Sequence, residues 1–370
     1  MKTWREISKK SNDEIIAWAA ARPWALEMAD CQQDPEWHAE GDVWTHSVMV
    51  CRELERLDEW PNLNRMDQLV LLFTALLHDS AKPATSAIDP DTGHIRSPKH
   101  ALKGEHLARA VLRDLECDFR TRERISRMVR FHGRPVFLME REEPETEVIR
   151  MSWLVNNRLL HLFALADMRG RHCDMNSRDE DDLALWQVTA EDSDCYDHPY
   201  PFANEHARFL FCRSERPNRH YVPHEEYSCR VTMMSGYPGA GKDTWLAQQR
   251  PELPVVSLDE IRQELGVDPT GNQGQVQQAA RERCAEHLRK SRNFAFSATN
   301  LTRLVRSKWI DLFADYGAHI EVVYIEPPLS TVLKQNRNRS RVVPEDVIRS
   351  LAKKVEPPTM TEAHNVLVVP

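Results

Sequence analysis

The spacing of apolar residues divides the chain into a helical first part and an alternating second part. Apolar side chains recur every three or four positions in residues 66–77 and again in residues 102–115, which is the spacing of one buried helix face. A turn-forming stretch at residues 89–93, with Pro90 and Gly93, separates these two segments. We therefore expect residues 1–190 to be mostly helical.

From residue 230 onward, short apolar strands alternate with longer amphipathic segments. The pattern predicts strands at residues 230–235, 253–257, 293–298 and 319–325, and helices near residues 242–249, 259–265, 273–291, 301–316, 328–337 and 344–355. Such alternation is typical of a parallel sheet with helices on both faces. The predicted fold class is therefore multidomain, with an all-α N-terminal domain and an α/β C-terminal domain built on a parallel sheet.

Residues 191–229 show neither pattern. They are rich in Pro, Asp, Glu, His and Tyr, and we interpret them as a connector between domains, packed rather than flexible. The predicted domains are thus residues 1–190 and 230–370, joined by residues 191–229.

Composition excludes several classes of protein. The longest apolar run, residues 69–77, is too short to span a bilayer, and the N-terminus has no signal-peptide core. The eight cysteines form no C-x-x-C pair, which suggests neither a disulfide framework nor a zinc knuckle. We expect a cytoplasmic enzyme with reduced thiols and no membrane partner. The sequence does not indicate an oligomeric state.

Charge is distributed unevenly along the chain. The net charge is −8 overall, with −11 in residues 1–229 and +3 in residues 230–370. A net negative chain is not expected to coat nucleic acid nonspecifically. A carboxylate-rich half is compatible with metal binding.

The segment after the first predicted strand of the second part is rich in glycine. It reads Gly236-Tyr237-Pro238-Gly239-Ala240-Gly241-Lys242-Asp243-Thr244, which nearly matches the phosphate-binding pattern G-x-x-x-x-G-K-[ST]. Backbone N–H groups in such a loop cradle phosphates, and Lys242 adds a full charge. The order of strand, loop and helix predicts binding of ATP or another nucleoside triphosphate.

The helical half contains histidines and aspartates in an ordered series. They are His38, His46, the adjacent pair His78 and Asp79, His100, His132 and Asp167. Imidazole and carboxylate together suit one or two divalent transition metals, namely Mn, Ni, Co, Fe or Zn. A carboxylate can also bridge two ions, so a two-metal site is possible.

This order of short motifs resembles the HD superfamily of metal-dependent phosphohydrolases. The resemblance implies that His46, His78, Asp79 and Asp167 bind a first metal, and that His100 and His132 bind a second, with Asp79 bridging. His38 is then a further ligand, a phosphate contact or a packing residue. The implied reaction is metal-assisted hydrolysis of a phosphoester. Lys82, Arg134 and Arg171 lie close in sequence to the ligands, and each either neutralises a substrate phosphate or is ordinary surface charge, the second above all for Arg134.

Two segments downstream of the glycine-rich loop favour a kinase. Asp259 is placed to follow a strand beside the loop, where it can accept a proton from an attacking hydroxyl or cap the following helix. Arg262, one turn later, can hold a substrate phosphate. Arg337, Arg339 and Arg341 form a basic segment that reads as a lid over the nucleotide phosphates.

Together with Ser297-Ala298-Thr299-Asn300, these segments resemble the polynucleotide 5′-kinase family. The resemblance implies Asp259 as general base, Arg262, Thr299 and Asn300 as nucleic-acid contacts, and Mg²⁺ or Mn²⁺ as the cofactor of ATP. Asp243 departs from the pattern, because Ser or Thr normally stands at this position to bind Mg²⁺.

The two resemblances together are those of bacterial HD-type polynucleotide kinase–phosphatases. They imply an enzyme that phosphorylates 5′-OH ends and removes 2′,3′-cyclic, 2′- or 3′-phosphates from RNA or DNA, with sealing left to a separate ligase. One alternative is an HD nucleotidase or phosphodiesterase fused to a kinase of nucleosides or other small metabolites. Another is a P-loop domain that acts as an ATP-driven switch on the HD domain.

Overall fold

A computed structural model describes residues 3–173, 176–268, 270–339 and 341–370. The chain forms two compact units, Met1–Pro201 and Phe202–Pro370. The predicted connector, residues 191–229, is therefore divided between them.

The first unit is helical apart from one small hairpin. Its helices are α1 (Trp4–Ile7), α2 (Asn12–Ala20), α3 (Pro23–Ala29), α4 (Val43–Arg56), α5 (Arg65–Leu77), α6 (His100–Asp114), α7 (Phe119–Phe131), α8 (Pro144–Ser152), α9 (Asn157–Arg169) and α10 (Asn176–Asp192). The strands β1 (Ala87–Ile88) and β2 (Ile95–Arg96) pair antiparallel around the predicted turn. The predicted helical character of this part is confirmed, whereas the two-residue strands are too short for periodicity to reveal.

Helix α5 is the centre of the first unit. Its last nine residues, from Leu69 to Leu77, are all buried, and its start is capped by the Asn64 side chain, which accepts from the backbone N–H of Asp67. Gly104 allows α6 to approach the end of α5, because a Cβ there would lie 3.3 Å from the backbone oxygen of His78. Close packing at this point holds the residues that follow α5 in place.

The second unit is built on a five-stranded parallel sheet. It contains α11 (Glu205–Arg213), β3 (Arg230–Gly236), α12 (Lys242–Gln249), β4 (Val255–Ser257), α13 (Leu258–Glu264), α14 (Gly274–Arg289), β5 (Phe294–Ser297), α15 (Arg303–Asp315), β6 (His319–Ile325), α16 (Leu329–Arg337), α17 (Glu345–Lys354) and β7 (Asn365–Val369). The strand order is β4-β5-β3-β6-β7, and every neighbouring pair is parallel. The predicted α/β class and parallel sheet are confirmed.

Two elements of the second unit were not predicted, namely β7 and α11. β7 adds a parallel edge strand beside β6. α11 lies in the predicted connector, yet Arg208 on this helix is buried and its Nε donates to the backbone oxygen of Met360, 3.0 Å away. Contacts of this kind depend on residues far apart in sequence, so local periodicity does not reveal them.

A buried ion pair ties α15 to the segment before β7. Arg306 is fully buried, and its Nε and Nη2 donate to the two carboxylate oxygens of Glu362 at 2.8 and 3.0 Å. Nη1 also donates to the backbone oxygens of Asn300 and Glu356. The guanidinium therefore donates hydrogen bonds to backbone oxygens of two segments, which would otherwise be buried without partners.

We expect Arg306→Ala to lower the free energy of unfolding of the second unit by about 3–5 kcal/mol, because it leaves Glu362 buried without its counter-charge. Arg303→Ala, on an exposed side chain of the same helix, should change it by no more than about 0.5 kcal/mol. Hydrogen exchange of the β3 and β6 amides measures this opening free energy. Equal effects of the two substitutions would contradict the assignment.

Candidate active sites

The ends of five helices bring the predicted metal ligands of the first unit together. His46 lies on α4, His78 and Asp79 directly follow α5, and Asp167 lies near the end of α9. His100 begins α6, and His132 directly follows α7. All of these side chains are buried except that of His100, which is partly exposed.

The ligand atoms form two overlapping groups. Those of His46, His78 and Asp79 lie within 4.8 Å of one another, as do those of Asp79, His100 and His132. Asp79 belongs to both groups, so its two oxygens are placed to bridge two ions. Asp167 extends the first group, with Oδ1 2.9 Å from His46 Nε2 and 3.7 Å from His78 Nε2.

Three of the histidines are oriented in the same way by the backbone. The Nδ1 atoms of His78, His100 and His132 lie 2.8–2.9 Å from the backbone oxygens of Ala75, Ser97 and Val129. A carbonyl oxygen only accepts, so each Nδ1 carries the proton and each Nε2 presents a lone pair. This is the usual arrangement of histidines that bind metals.

The Nε2 lone pairs converge on other acceptors. The Nε2 atoms of His100 and His132 face each other at 3.4 Å, and His78 Nε2 lies 3.1 Å from Asp79 Oδ2. Within the described part of the chain, His78 Nε2 and Asp79 Oδ1 are buried and accept no hydrogen bond. A cation would satisfy these atoms, so the side chains fit a divalent metal centre.

The ionisation of these groups also favours metal binding. Burial would raise the pKa values of Asp79 and Asp167, but both are held well below their ordinary value, that of Asp79 by the neighbouring His78 and Lys82 and that of Asp167 by Arg171 and the hydrogen bond from His46. Burial, reinforced by His78 and His100, lowers the pKa of His132 to about 3. Near neutral pH the site therefore presents ionised carboxylates and a neutral His132 imidazole.

Two predicted phosphate-binding side chains pair with ligands. Lys82 Nζ lies 2.7 Å from Asp79 Oδ2, and Arg171 Nη2 lies 2.9 Å from Asp167 Oδ2. Arg134 instead pairs with Glu147, at 3.3 Å. The described contacts thus connect Lys82 and Arg171, but not Arg134, to the metal ligands.

Glu40 is a member of the site that sequence reasoning missed. Its Oε1 lies 2.7 Å from His38 Nδ1 and 3.0 Å from His46 Nδ1, and its side chain is 1% exposed. Burial opposes ionisation of Glu40, but hydrogen bonds from both histidines lower its pKa. Its position two residues after His38 was the available signal. Glu40 thereby connects His38 to His46.

The second site begins at the glycine-rich loop between β3 and α12. Gly236, Gly239 and Gly241 have φ values of +150°, +81° and +97°, and a Cβ at Gly236 would lie 2.6 Å from the backbone oxygen of Ile325. Only glycine fits there. Lys242 Nζ donates to the backbone oxygens of Gly236 and Tyr237, at 3.0 and 2.9 Å.

Four charges surround the start of α12. Loss of hydration lowers the pKa of Lys242 to about 8, and Arg339 adds to this effect, whereas Asp243 and Asp259 oppose it. All three therefore lie within electrostatic range of the lysine. The structure thus gathers residues that are nearly 100 positions apart in sequence.

Asp259 and Arg262 form an ion pair on α13. Asp259 is exposed, and Arg262 Nε also donates to Gln273 Oε1 at 2.9 Å. The alternative role of Asp259 as helix cap is wrong, because α13 begins one residue earlier and Ser257 Oγ accepts from the backbone N–H of Glu260. Asp259 therefore does not cap α13, and its exposed carboxylate contacts Arg262.

The segment after β5 contains one exposed and one buried predicted contact. Thr299 is exposed, while Asn300 is buried and its Nδ2 donates to the backbone oxygen of Met234 at 2.8 Å. We therefore assign Asn300 a structural role between β5 and β3 and correct its predicted role as a nucleic-acid contact. Thr299 lies open at the carboxyl end of the sheet.

The predicted lid arginines follow α16. Arg337 pairs with Glu345, with Nε 2.7 Å from Oε1, and Arg341 is exposed. Ser340 lies outside the described residues. Of the three arginines, Arg339 is the one whose charge acts on Lys242.

Asn336 links this segment to the glycine-rich loop and was also missed from the sequence. Its Nδ2 donates to the backbone oxygen of Val343 at 2.7 Å, and its Oδ1 accepts from the Val343 N–H at 3.0 Å. A Cβ at Gly239 would lie 3.3–3.4 Å from Asn336 atoms, so the two segments are in contact. Asn336 is buried, which local sequence does not indicate.

Comparison with known families agrees with these two sites. The family model of the HD domain matches residues 43–153, and that of the AAA domain matches residues 231–358. The chain joins an HD domain to a P-loop domain. The HD match contains most of the His/Asp centre, and the AAA match contains the glycine-rich loop. These domains imply use of a nucleotide and a divalent metal.

Individual relatives cover only parts of this chain. The CC-adding tRNA nucleotidyltransferase of Thermus thermophilus is 32% identical over 118 residues, which are 32% of this chain and 24% of that protein. This chain thus matches about a quarter of the length of that curated relative.

Two solved structures resemble 39% of the chain. They are a candidate kinase from Chloroflexus aurantiacus and a gluconokinase from Sinorhizobium meliloti. Each is 15% identical to this chain over the matched region, and the match covers 85% of its own length. The TM-scores are 0.32 and 0.29. Within the described residues, no helix has the length and apolar character needed to cross a membrane.

Glu40→Gln should weaken binding of divalent metal to the HD domain by about 10–100-fold, because the amide no longer orients His46 as the carboxylate does. Competition with a chromophoric chelator measures this affinity. Glu27→Gln, on an exposed side chain of the same unit, is the matched control. Equal affinities of the two variants would contradict the role assigned to Glu40.

Asn336→Asp should raise the KM for ATP by about tenfold, because the carboxylate cannot donate to the Val343 carbonyl and the basic segment loses its anchor. Steady-state kinetics at saturating acceptor measures this effect. Gln335→Glu adds the same charge one residue earlier on an exposed side chain. If both variants raise KM equally, charge rather than the lost hydrogen bond is responsible.

Proposed function

We propose that this protein is a bifunctional end-healing enzyme for nucleic acid, with RNA as its main substrate. The HD domain removes 2′,3′-cyclic, 2′- or 3′-phosphates, and the P-loop domain transfers phosphate from ATP to 5′-OH ends. The observation that carries the proposal is the presence, in one chain, of a converging His/Asp centre and a glycine-rich loop beside the Asp259–Arg262 pair. A separate ligase would then seal the healed ends.

In the HD domain, the residues fit a phosphoester hydrolysis. His46, His78, Asp79 and Asp167 would hold one divalent metal, and Asp79, His100 and His132 a second. When bound, such metals activate water and polarise phosphoryl oxygens. Lys82 and Arg171 already pair with ligand carboxylates. Each can also donate a hydrogen bond to a phosphate oxygen of the substrate.

In the P-loop domain, the residues fit transfer of the γ-phosphoryl group. Lys242 would exchange its two loop carbonyls for phosphate oxygens of ATP. Asp259 accepts the proton of the 5′-OH as that oxygen attacks the γ-phosphorus, and the bond to the β-phosphate oxygen breaks. Arg262 binds a phosphate of the substrate. The phosphates of ATP are bound by Arg337, Arg339 and Arg341.

An exposed acceptor side supports a polymeric substrate. Asp259 follows β4 and Thr299 follows β5, and these strands are neighbours in the sheet. Both residues are exposed, so a long chain end has room to approach. The similarity to a tRNA nucleotidyltransferase, whose name describes action on an RNA, is compatible with this substrate class.

A second candidate function is catalysis on small metabolites by the same two sites. The net charge of −11 in residues 1–229 favours it, since a long polyanion would be repelled. A series of substrates from mononucleotides to oligonucleotides distinguishes the two. Preference for mononucleotides would favour the small-metabolite enzyme.

The proposal predicts two changes on one substrate, an RNA oligonucleotide with a 5′-OH and a 2′,3′-cyclic phosphate, incubated with ATP and a panel of divalent metals. Mass spectrometry should detect phosphate gained at the 5′ end and lost at the other end. Turnover of free nucleotides with neither change at the oligonucleotide ends would contradict the proposal.

Point variants make the same experiment site-specific. Lys242→Ala should reduce 5′ phosphorylation by at least about 100-fold and leave removal of the terminal phosphate intact, and Asp79→Ala should do the reverse. Loss of both activities in either folded variant would contradict the two-site account. Asp259→Ala should abolish phosphoryl transfer but retain ATP binding. This result would argue against a P-loop domain that acts only as an ATP-driven switch on the HD domain.

A further inference from the structure

Asp243 and Ser297 contact each other across the P-loop site. Asp243 is the second residue of α12, at the position where the phosphate-binding pattern has Ser or Thr. Ser297 is the last residue of β5, the strand next to β3 in the sheet. Ser297 Oγ donates to Asp243 Oδ1 at 3.1 Å.

In P-loop proteins, Mg²⁺ is held by a hydroxyl group from the loop and a carboxylate from another part of the site, the acid that follows a neighbouring strand. Here the same two kinds of side chain occur, but the hydroxyl is on the strand and the carboxylate is on the loop. We propose that Asp243 and Ser297 are an exchanged metal-binding pair. In this pair, Asp243 binds the cation of ATP directly and Ser297 orients the carboxylate.

Exposure favours this assignment. Ser297 is buried, whereas Asp243 is exposed at the start of α12. The hydrogen bond from Ser297 occupies Oδ1, while Oδ2 accepts no hydrogen bond from the described part of the chain. One oxygen is therefore fixed and the other is available to a cation, for which oxygen ligands are preferred.

Charge balance gives the exchange a functional consequence. A hydroxyl at residue 243 would be neutral, but the carboxylate adds a negative charge beside the phosphates that Lys242 is placed to bind. Without a divalent cation this charge repels ATP, and with one it becomes a ligand. ATP binding should therefore depend on divalent metal more steeply than it would with Ser at position 243. This inference rests on the nucleotide site of the proposed function and does not depend on which acceptor is phosphorylated.

The test is a reciprocal exchange measured by binding. Isothermal titration of ATP is carried out in Mn²⁺ and in EDTA, without any acceptor, on the wild type, Asp243→Ser, Ser297→Asp and the double variant. Asp243→Ser should lower the ratio of ATP affinities with and without Mn²⁺ by at least about tenfold. Ser297→Asp should weaken ATP binding, because it places a second carboxylate beside the first.

The double variant is the decisive member of the set. It restores the usual arrangement at constant net charge, so it should recover the wild-type ratio to within about threefold, which is non-additive behaviour expected of a contacting pair. The proposal is overturned if Asp243→Ser leaves the ratio unchanged, or if the double variant is no better than the weaker single variant.

Two controls keep the result interpretable. Asp315→Ser removes an exposed carboxylate at the last residue of α15. This variant should leave the ratio of ATP affinities unchanged. Asp243→Asn nearly preserves shape, so if Asp243→Ser unfolds by circular dichroism, the amide variant must show the same tenfold loss. Metal-dependent ATP binding without phosphorylation of oligonucleotides would contradict the end-healing function while supporting this inference.

Discussion

The first site depends on lone pairs that face one another in a buried space. Backbone carbonyls fix the protons of His78, His100 and His132 on Nδ1, so their Nε2 atoms and the oxygens of Asp79 are all acceptors at close range. A buried acceptor without a donor is costly. A cation bound between these acceptors removes that cost. The helices of the first unit place the acceptors close enough together for this to happen. Helices α4, α5, α6, α7 and α9 each contribute at or near one end.

The second site, at the glycine-rich loop, concentrates positive charge instead of lone pairs. The glycine-rich loop exposes backbone N–H groups, while Lys242 and Arg339 add charges close to each other. Two like charges in a partly dehydrated site lower the pKa of the lysine and create a place for an anion. Asp243 and Asp259 offset part of this charge. Both sites thus contain side chains whose charges or lone pairs are only partly balanced without a ligand or ion.

Much of this organisation could be predicted from the sequence. The glycine-rich loop is local, because its φ values and its position between a strand and a helix are encoded within ten residues. The order of His46, His78, Asp79, His100, His132 and Asp167 also identified a set that the structure brings together. That prediction depended on the order of the short motifs and on their resemblance to the HD superfamily.

The features that could not be predicted depend on long-range packing. Glu40 acts through His38 and His46, and its carboxylate resembles any surface acid until the loop before α4 is folded. Asn336 and Asn300 are asparagines whose roles follow from burial, and Ser297 has meaning only beside Asp243. Likewise α11 is a short helix in a segment without periodicity, and it is held by backbone oxygens about 150 residues away.

Anomalous diffraction at the manganese edge tests the central claim most directly. Crystals of the full chain would be grown with Mn²⁺ and a non-hydrolysable ATP analogue. The account predicts anomalous peaks between His46, His78, Asp79 and Asp167 and between Asp79, His100 and His132, with a separate peak beside Asp243. A map without anomalous density at the histidines, in which their Nε2 atoms accept hydrogen bonds only from water, would contradict it.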